Sequence, residues 1–309
     1  MWRIIGGIYM GWSLGTNDAA NVFGTGVATK VVSFRLAALL MAMFIILGAW
    51  FEGPKCMELM KDLGCLTMDP AFWATIVAAV TMTIMSILAI PSSTSQAILG
   101  GIIGAGLATS QPIPDPRLLG KIIICWLGTP IGACIIAFVL TALLERTQNH
   151  LFRSASSFKV FITAGLIMAG CYGSYSIGAN NVANTTGVYY ACGMLSAKTA
   201  SLIGGLAMAL GAVTFGKRVM DTVGHKIADV GPLGALVAVL AESLTIHFYT
   251  QIGVPVSSSQ AIVGAVMGVG LTKGSSGVYR AQLVEIFIGW IATPVIAFVL
   301  AWLVCSIVV

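Results

Sequence analysis

Gly15-Thr16-Asn17-Asp18-Ala19-Ala20-Asn21 occurs a second time in this chain, as Gly178-Ala179-Asn180-Asn181-Val182-Ala183-Asn184. Each copy sets two asparagines and one further polar residue into an otherwise apolar segment. The further residue is a carboxylate, Asp18, in the first copy and Asn181 in the second. Such a cluster is costly in hydrocarbon, so it reads as a site rather than as filler.

The surroundings of the two copies decide the class of protein. Of 309 residues, 58% are hydrophobic and only 9% are charged, against about 25% charged in soluble domains. Many apolar runs are long enough for a bilayer core, which takes about 20 residues of helix. They are continuous rather than alternating, which argues against a transmembrane barrel. The expected fold is an all-α polytopic membrane protein embedded in a lipid bilayer. The net charge of +5 reports topology in such a protein, so no nucleic-acid partner is expected. Residues 2–28 read as the first helix of the mature chain, with no convincing cleavage site. Most of the seven cysteines lie in apolar runs. Cys56 and Cys65 share a hydrophilic loop and would be free to pair if it faced an oxidising compartment.

Ten apolar blocks emerge, five on each side of a polar stretch. The blocks are residues 2–28, 34–51, 71–90, 92–107 and 118–144, then 160–190, 199–215, 232–252, 256–271 and 282–309. The expected organisation is a first membrane repeat (1–144), a short cytoplasmic linker (145–159) and a second membrane repeat (160–309). A shift of 163 residues lays Gly15, Asn17 and Asn21 on Gly178, Asn180 and Asn184, and Gly48 and Gly53 on Gly211 and Gly216. The same shift pairs Glu58 with Asp221. One more residue of shift lays Pro91-Ser-Ser-Thr-Ser-Gln96 on Pro255-Val-Ser-Ser-Ser-Gln260, and Trp126 and Pro130 on Trp290 and Pro294. Matches in the same order across both halves mark a duplication. Five crossings per half would invert the second repeat relative to the first. That arrangement puts ten basic residues on one side, among them Arg146, Arg153 and Lys159, and six on the other. The richer side is then cytoplasmic and both termini external, in a plasma or inner membrane.

Two more polar stretches match between the halves: Ser92–Gln96 and Ser257–Gln260, each closely preceded by a proline. Proline removes a backbone donor and disfavours helix just before it. Each stretch therefore reads as a break from which a new helix starts near mid-membrane. The start of a helix exposes unpaired N–H groups at the positive end of its dipole, and adjacent hydroxyls add donors. Such a start binds a small oxyanion without a basic side chain. Asp18 and the neighbouring amide oxygens suit a small cation such as Na⁺, or a proton. An anion site beside a cation site implies cation-coupled anion transport. A Ser/Thr run or a lone Asn in a membrane helix can also be interhelical glue, but repetition of the break favours a site. Glu242 and His247 occur in the second half only and are balanced between a buried structural pair and proton handling. Gly11-Trp-Ser-Leu-Gly15 matches a nucleophile-elbow pattern, but it lies in an apolar helix without a triad. No enzyme and no cofactor is expected.

These motifs resemble the inorganic phosphate transporter (PiT) family. Its duplicated Gly-Ala-Asn-Asp-type motif is similar to residues 15–21 and 178–184, and its second duplicated element to residues 91–97 and 255–261. Gly216-Lys-Arg-Val-Met-Asp-Thr-Val-Gly224 also looks like a segment of that family. The resemblance spans nearly the whole chain. It implies a secondary transporter with inverted repeats and external termini that carries inorganic phosphate with Na⁺ or H⁺, by symport. By the same resemblance, Ser93, Thr94, Ser95, Ser257, Ser258 and Ser259 would hold the anion. Asp18, Asn21, Asn181 and Asn184 would support Na⁺, with Asn17, Asn180, Gln96 and Gln260 in the same cation region. A homodimer is a further implication. The chain departs from the family at Asn181, where the motif usually carries aspartate. Fewer acceptors at the site discriminate less against sulfate, which has no proton to donate. A sulfate transporter on the same fold is therefore the alternative, with an anion channel behind it.

Overall fold

The computed structural model describes residues 2–64, 66–88, 92–151, 154–228, 230–272, 274 and 280–309. Within these, no side-chain description extends to 19–20, 148–151, 218–219, 221–228 or 280–287. Cys65, Pro91 and the Asp221 side chain, all invoked above, lie outside what is described.

After a 3-10 turn at Trp2–Ile4, the chain forms α1 (Ile5–Ala28), α2 (Phe34–Asp62), α3 (Met68–Ile87), α4 (Thr94–Ala108) and α5 (Pro116–Leu151). The second half follows with α6 (Ala155–Asn181), α7 (Ala183–Ala191), α8 (Ala197–Ala228), α9 (Gly231–Ile252), α10 (Ser258–Thr272) and α11 (Arg280–Val308). No strand occurs among the described residues. α5 runs on to Leu151, through much of the stretch expected as linker. Seven helical stretches among the described residues are long and apolar enough to cross a membrane. α1 is not among them, although 24 residues give it a length of about 36 Å, because its polar motif lowers its hydropathy. α4 and α10, with 15 residues each, are only about 22 Å long. That is short of the roughly 30 Å bilayer core.

Two large faces remain apolar and uncovered. Ile124, Leu127, Ile131 and Ile135 on α5 are exposed, as are Ile288, Ile291 and Val295 on α11. Soluble monomers rarely show such patches; a lipid environment accounts for them, and the protein is an integral membrane protein.

The duplication read from sequence reappears in how the helices touch. α1 packs on α8 as α6 packs on α2, and α4 packs on α11 as α10 packs on α5. Glycines without a side chain between backbones make these contacts residue by residue. Gly15 lies against the Met208 carbonyl and Gly178 against that of Ile45. Gly100 lies against Pro294, and Gly264 against Pro130. In each pair, moving one contact by the repeat shift produces the other. A Cβ at any of these glycines would run into backbone, so the close crossing needs them. The second-half motif lies antiparallel to the first: Asp18 meets Asn181, Val22 meets Gly173 and Phe23 meets Gly170. An exchange of halves that reverses helix direction is consistent with inverted-topology repeats.

Candidate ion and oxyanion site

Asp18 and Asn181 are repeat counterparts, since 181 exceeds 18 by the shift of 163. They touch each other: Asn181 Nδ2 donates to Asp18 Oδ2 at 3.0 Å. A residue in contact with its own counterpart lies at the pseudo-two-fold axis, so the motif sits where the halves meet. The contact extends on the second-half side, where Asn184 Nδ2 donates to Asn181 Oδ1 at 3.3 Å. Asp18, Asn181 and Asn184 are all buried, with no more than 2% of their surface exposed.

The two Pro-Ser breaks form as expected. Ser93, extended in its backbone, caps α4 by accepting from the Gln96 N–H at 3.4 Å. Ser257 accepts from the Gln260 N–H at 3.3 Å at the start of α10. Serine is favoured at this position because its oxygen satisfies one of the four N–H groups that a helix start leaves open. The two starts meet: Ser259 Oγ donates to the Ser92 carbonyl at 2.9 Å. Ser93 and Ser95 hydroxyls are 3.2 Å apart. α10 also packs against α1, the helix that carries Asp18. Ser93, Thr94, Ser95, Ser257, Ser258 and Ser259 are all buried. The cluster thus brings two helix N-termini together, with α10 packed against the helix of Asp18.

Asn180 has a different task. Its Nδ2 donates to Thr250 Oγ1 and to the Val254 carbonyl, both at 3.1 Å, and its Oδ1 accepts from the Val256 N–H at 2.8 Å. One amide side chain therefore holds the loop that leads into α10. Trp126 Nε1 supports the same loop by donating to the Pro255 carbonyl at 3.4 Å. Asn17 is only half-buried, and Asn21 is buried nearby. Thr250 was not legible as a member of this network, because threonine in an apolar helix is common and gives no signal of its own.

Several buried oxygens stay without a hydrogen-bond partner among the described residues: Gln96 Oε1, Gln260 Oε1, Asn184 Oδ1 and both carboxylate oxygens of Glu242. Unpaired buried acceptors are rare. Unpaired buried oxygens of this kind are the ligand type that suits a hard cation such as Na⁺. Glu242 is fully buried on α9, next to Ser243, which meets Val22 of α1 at Gly173. It does not pair with His247. His247 instead reaches Glu52, at 3.2 Å, and the Tyr172 hydroxyl, at 2.8 Å. Glu52 further accepts from Gln251, Lys55 and Tyr175. Glu58 is peripheral, bonded to Lys61 and the Tyr190 hydroxyl.

The same architecture occurs in a solved structure, and sequence relatives span nearly the whole chain. A chain described as a sodium-dependent phosphate transporter superposes with a TM-score of 0.83 over 99% of this chain and 98% of its own, at 22% identity. Among relatives, a putative phosphate permease of Methanocaldococcus jannaschii is 27% identical over 98% of this chain and 95% of its own length. A probable low-affinity inorganic phosphate transporter of Rhizobium meliloti is 30% identical, covering 90% and 87%. The sulfate permease CysP of Bacillus subtilis is 26% identical, covering 98% and 86%. The family model described as the phosphate transporter family matches residues 14–301, both motif copies and both helix breaks included, and the chain belongs to that family.

Proposed function

We propose that this protein imports inorganic phosphate by symport with Na⁺, through alternating access of the two repeats about the axis at Asp18 and Asn181. The observation that carries this reading is the meeting of the α4 and α10 starts, through Ser259 and Ser92, with α10 packed against the helix that bears the buried Asp18. A carboxylate thus lies in the same region as two helix N-termini suited to an oxyanion. A carboxylate there opposes anion binding unless a cation neutralises it, so anion and cation load together. Asp18, Asn21, Asn181 and Asn184 would hold the cation, with the free oxygens of Gln96 and Gln260 close by. Ser93, Thr94, Ser95, Ser257, Ser258 and Ser259 would hold the anion. Asn17 lies at the edge of the cation region, and Asn180 serves it by fixing the α10 approach. Similarity to a transporter described as sodium-dependent supports Na⁺ over a proton as the driving ion. Both termini are external and the central connection cytoplasmic in this reading.

Sulfate is the second reading, and Asn181 favours it. Monohydrogen phosphate carries a proton that needs an acceptor, and position 181 offers an amide instead of a carboxylate. The similarity to a sulfate permease adds to that reading. Radiolabelled phosphate uptake into proteoliposomes, under separate Na⁺ and proton gradients and with sulfate as competitor, tests both. Accumulation driven by Na⁺ and unaffected by excess sulfate is expected. Uptake suppressed by sulfate would move the assignment to the second reading, and flux without accumulation would refute coupled transport.

A further inference from the structure

Glu242 is a carboxylate that the mechanism above does not use. It lies in the middle of α9, fully buried, and neither oxygen has a hydrogen-bond partner among the described residues. No described lysine, arginine or histidine pairs with it. A buried ionisable group in that condition is rare and marks a candidate site. Its counterpart in the first half is Ala78, so the repeat supplies no structural reason for an acid here. α9 also carries Ile246 and Thr250 one and two turns on from Glu242, all three buried, and Thr250 touches Asn180. α9 thus turns one buried stripe toward the second-half motif. At its next residue, Ser243 packs on Gly173 together with Val22 of α1. Glu242 therefore sits at the level where α9, α6 and α1 converge, about one helical turn along α1 from Asp18.

We propose that Glu242 supplies, from α9, the negative charge that position 181 lacks, so that the region between α1, α6 and α9 carries two carboxylates and binds Na⁺ with both. The inference deepens the transport reading above by naming a further cation-binding residue. Three observations converge on it: a missing acid at the axis, an extra acid one helix away, and a free acceptor oxygen on Asn184, which itself bonds to Asn181. Oxygen atoms without hydrogen-bond donors are what a dehydrated monovalent cation needs as ligands. Two carboxylates with no basic partner also call for cations to offset their mutual repulsion.

The test is binding of radioactive Na⁺ to the purified full-length protein in detergent, which reads the site without transport. Glu242→Gln keeps the size and removes the charge; its half-saturating Na⁺ concentration is expected to rise at least tenfold. Glu242→Asp is expected to retain measurable binding. Adding Asn181→Asp to Glu242→Gln is expected to recover most of the affinity, because the charge returns to the axis. Thermal unfolding of each variant identifies any that fails to fold, and the double variant then decides on a folded background. Glu242→Gln binding Na⁺ as the parent does would overturn the inference and make Glu242 a protonated, uncharged group. No Na⁺ binding by the parent, or no recovery in the double variant, would also overturn it. The transport reading fails differently: Na⁺ binding that depends on Glu242 without any phosphate or sulfate uptake would sink that reading alone.

Discussion

Asp18 carries the account at the scale of single residues. Burial of a carboxylate costs several kcal/mol unless a counter-charge or donors compensate, and here the donor is Asn181. Asp18→Asn keeps the shape and removes the charge, so it should leave the protein folded and abolish Na⁺-driven uptake. Unchanged uptake in proteoliposomes would remove Asp18 from the mechanism. Ser258→Ala deletes one hydroxyl at the α10 start, worth about 0.5–1.5 kcal/mol. A rise of roughly tenfold at most in the KM for the anion is expected, with expression unaltered. Asp18, the serines and the asparagines were legible because polar residues in an apolar run stand out and recur at a fixed shift. The role of Glu242 was not. It has no counterpart, and its sequence proximity to His247 suggested a pair that the helix geometry separates: five residues put them on different faces of α9.

At the scale of elements, the helix breaks before α4 and α10 follow from proline and serine, and sequence revealed both. The break between α6 and α7 was hidden. There Thr185 Oγ1 donates to the Val182 carbonyl at 2.7 Å, and the Thr185 N–H donates to the same oxygen at 3.1 Å. A hydroxyl that competes for a helical carbonyl, with a three-residue backbone bond beside it, interrupts the regular ladder. The counterpart of Thr185 is Val22, which has no hydroxyl, and α1 runs unbroken through its motif. Two copies of one motif thus differ in backbone because a residue just outside the motif differs. The loop into α10 depends on Asn180, and Asn180→Ala would leave the Val256 N–H and the Val254 carbonyl unpaired. A loss of about 1–3 kcal/mol per buried group is expected, read as a lower unfolding temperature in detergent together with a higher KM for the anion. An unchanged unfolding temperature would mean that water replaces the amide and that the loop does not rely on it. At Gly264 the Pro130 carbonyl leaves no space for a side chain. Gly264→Val should cost roughly 1–3 kcal/mol or more through displaced backbone, and Gly100→Val, its repeat counterpart, should cost a similar amount.

The whole molecule is two copies of one helical unit meeting at a buried carboxylate. The repeat shift was readable from sequence, and the reciprocal glycine contacts make the same statement in space. What sequence left open was which helices the copies would pack against. α1 contacts α8 of the other half far more than it contacts α2 of its own, and contacts between distant segments carry no local signature. Interleaved packing of this kind makes the site the property of both halves together, so in the proposed mechanism movement of one half against the other would change both ion positions at once. Anion and cation should then bind as one coupled event. Coupling of this kind is reciprocal: if Na⁺ tightens phosphate binding by some factor, phosphate tightens Na⁺ binding by the same factor. The most direct measurement is equilibrium phosphate binding to the purified protein at low and saturating Na⁺, with ionic strength held constant by choline. The account predicts that saturating Na⁺ tightens phosphate binding about tenfold or more, corresponding to about 1.4 kcal/mol of coupling, and that Asp18→Asn removes the effect. Phosphate affinity that is the same at both Na⁺ concentrations would contradict it.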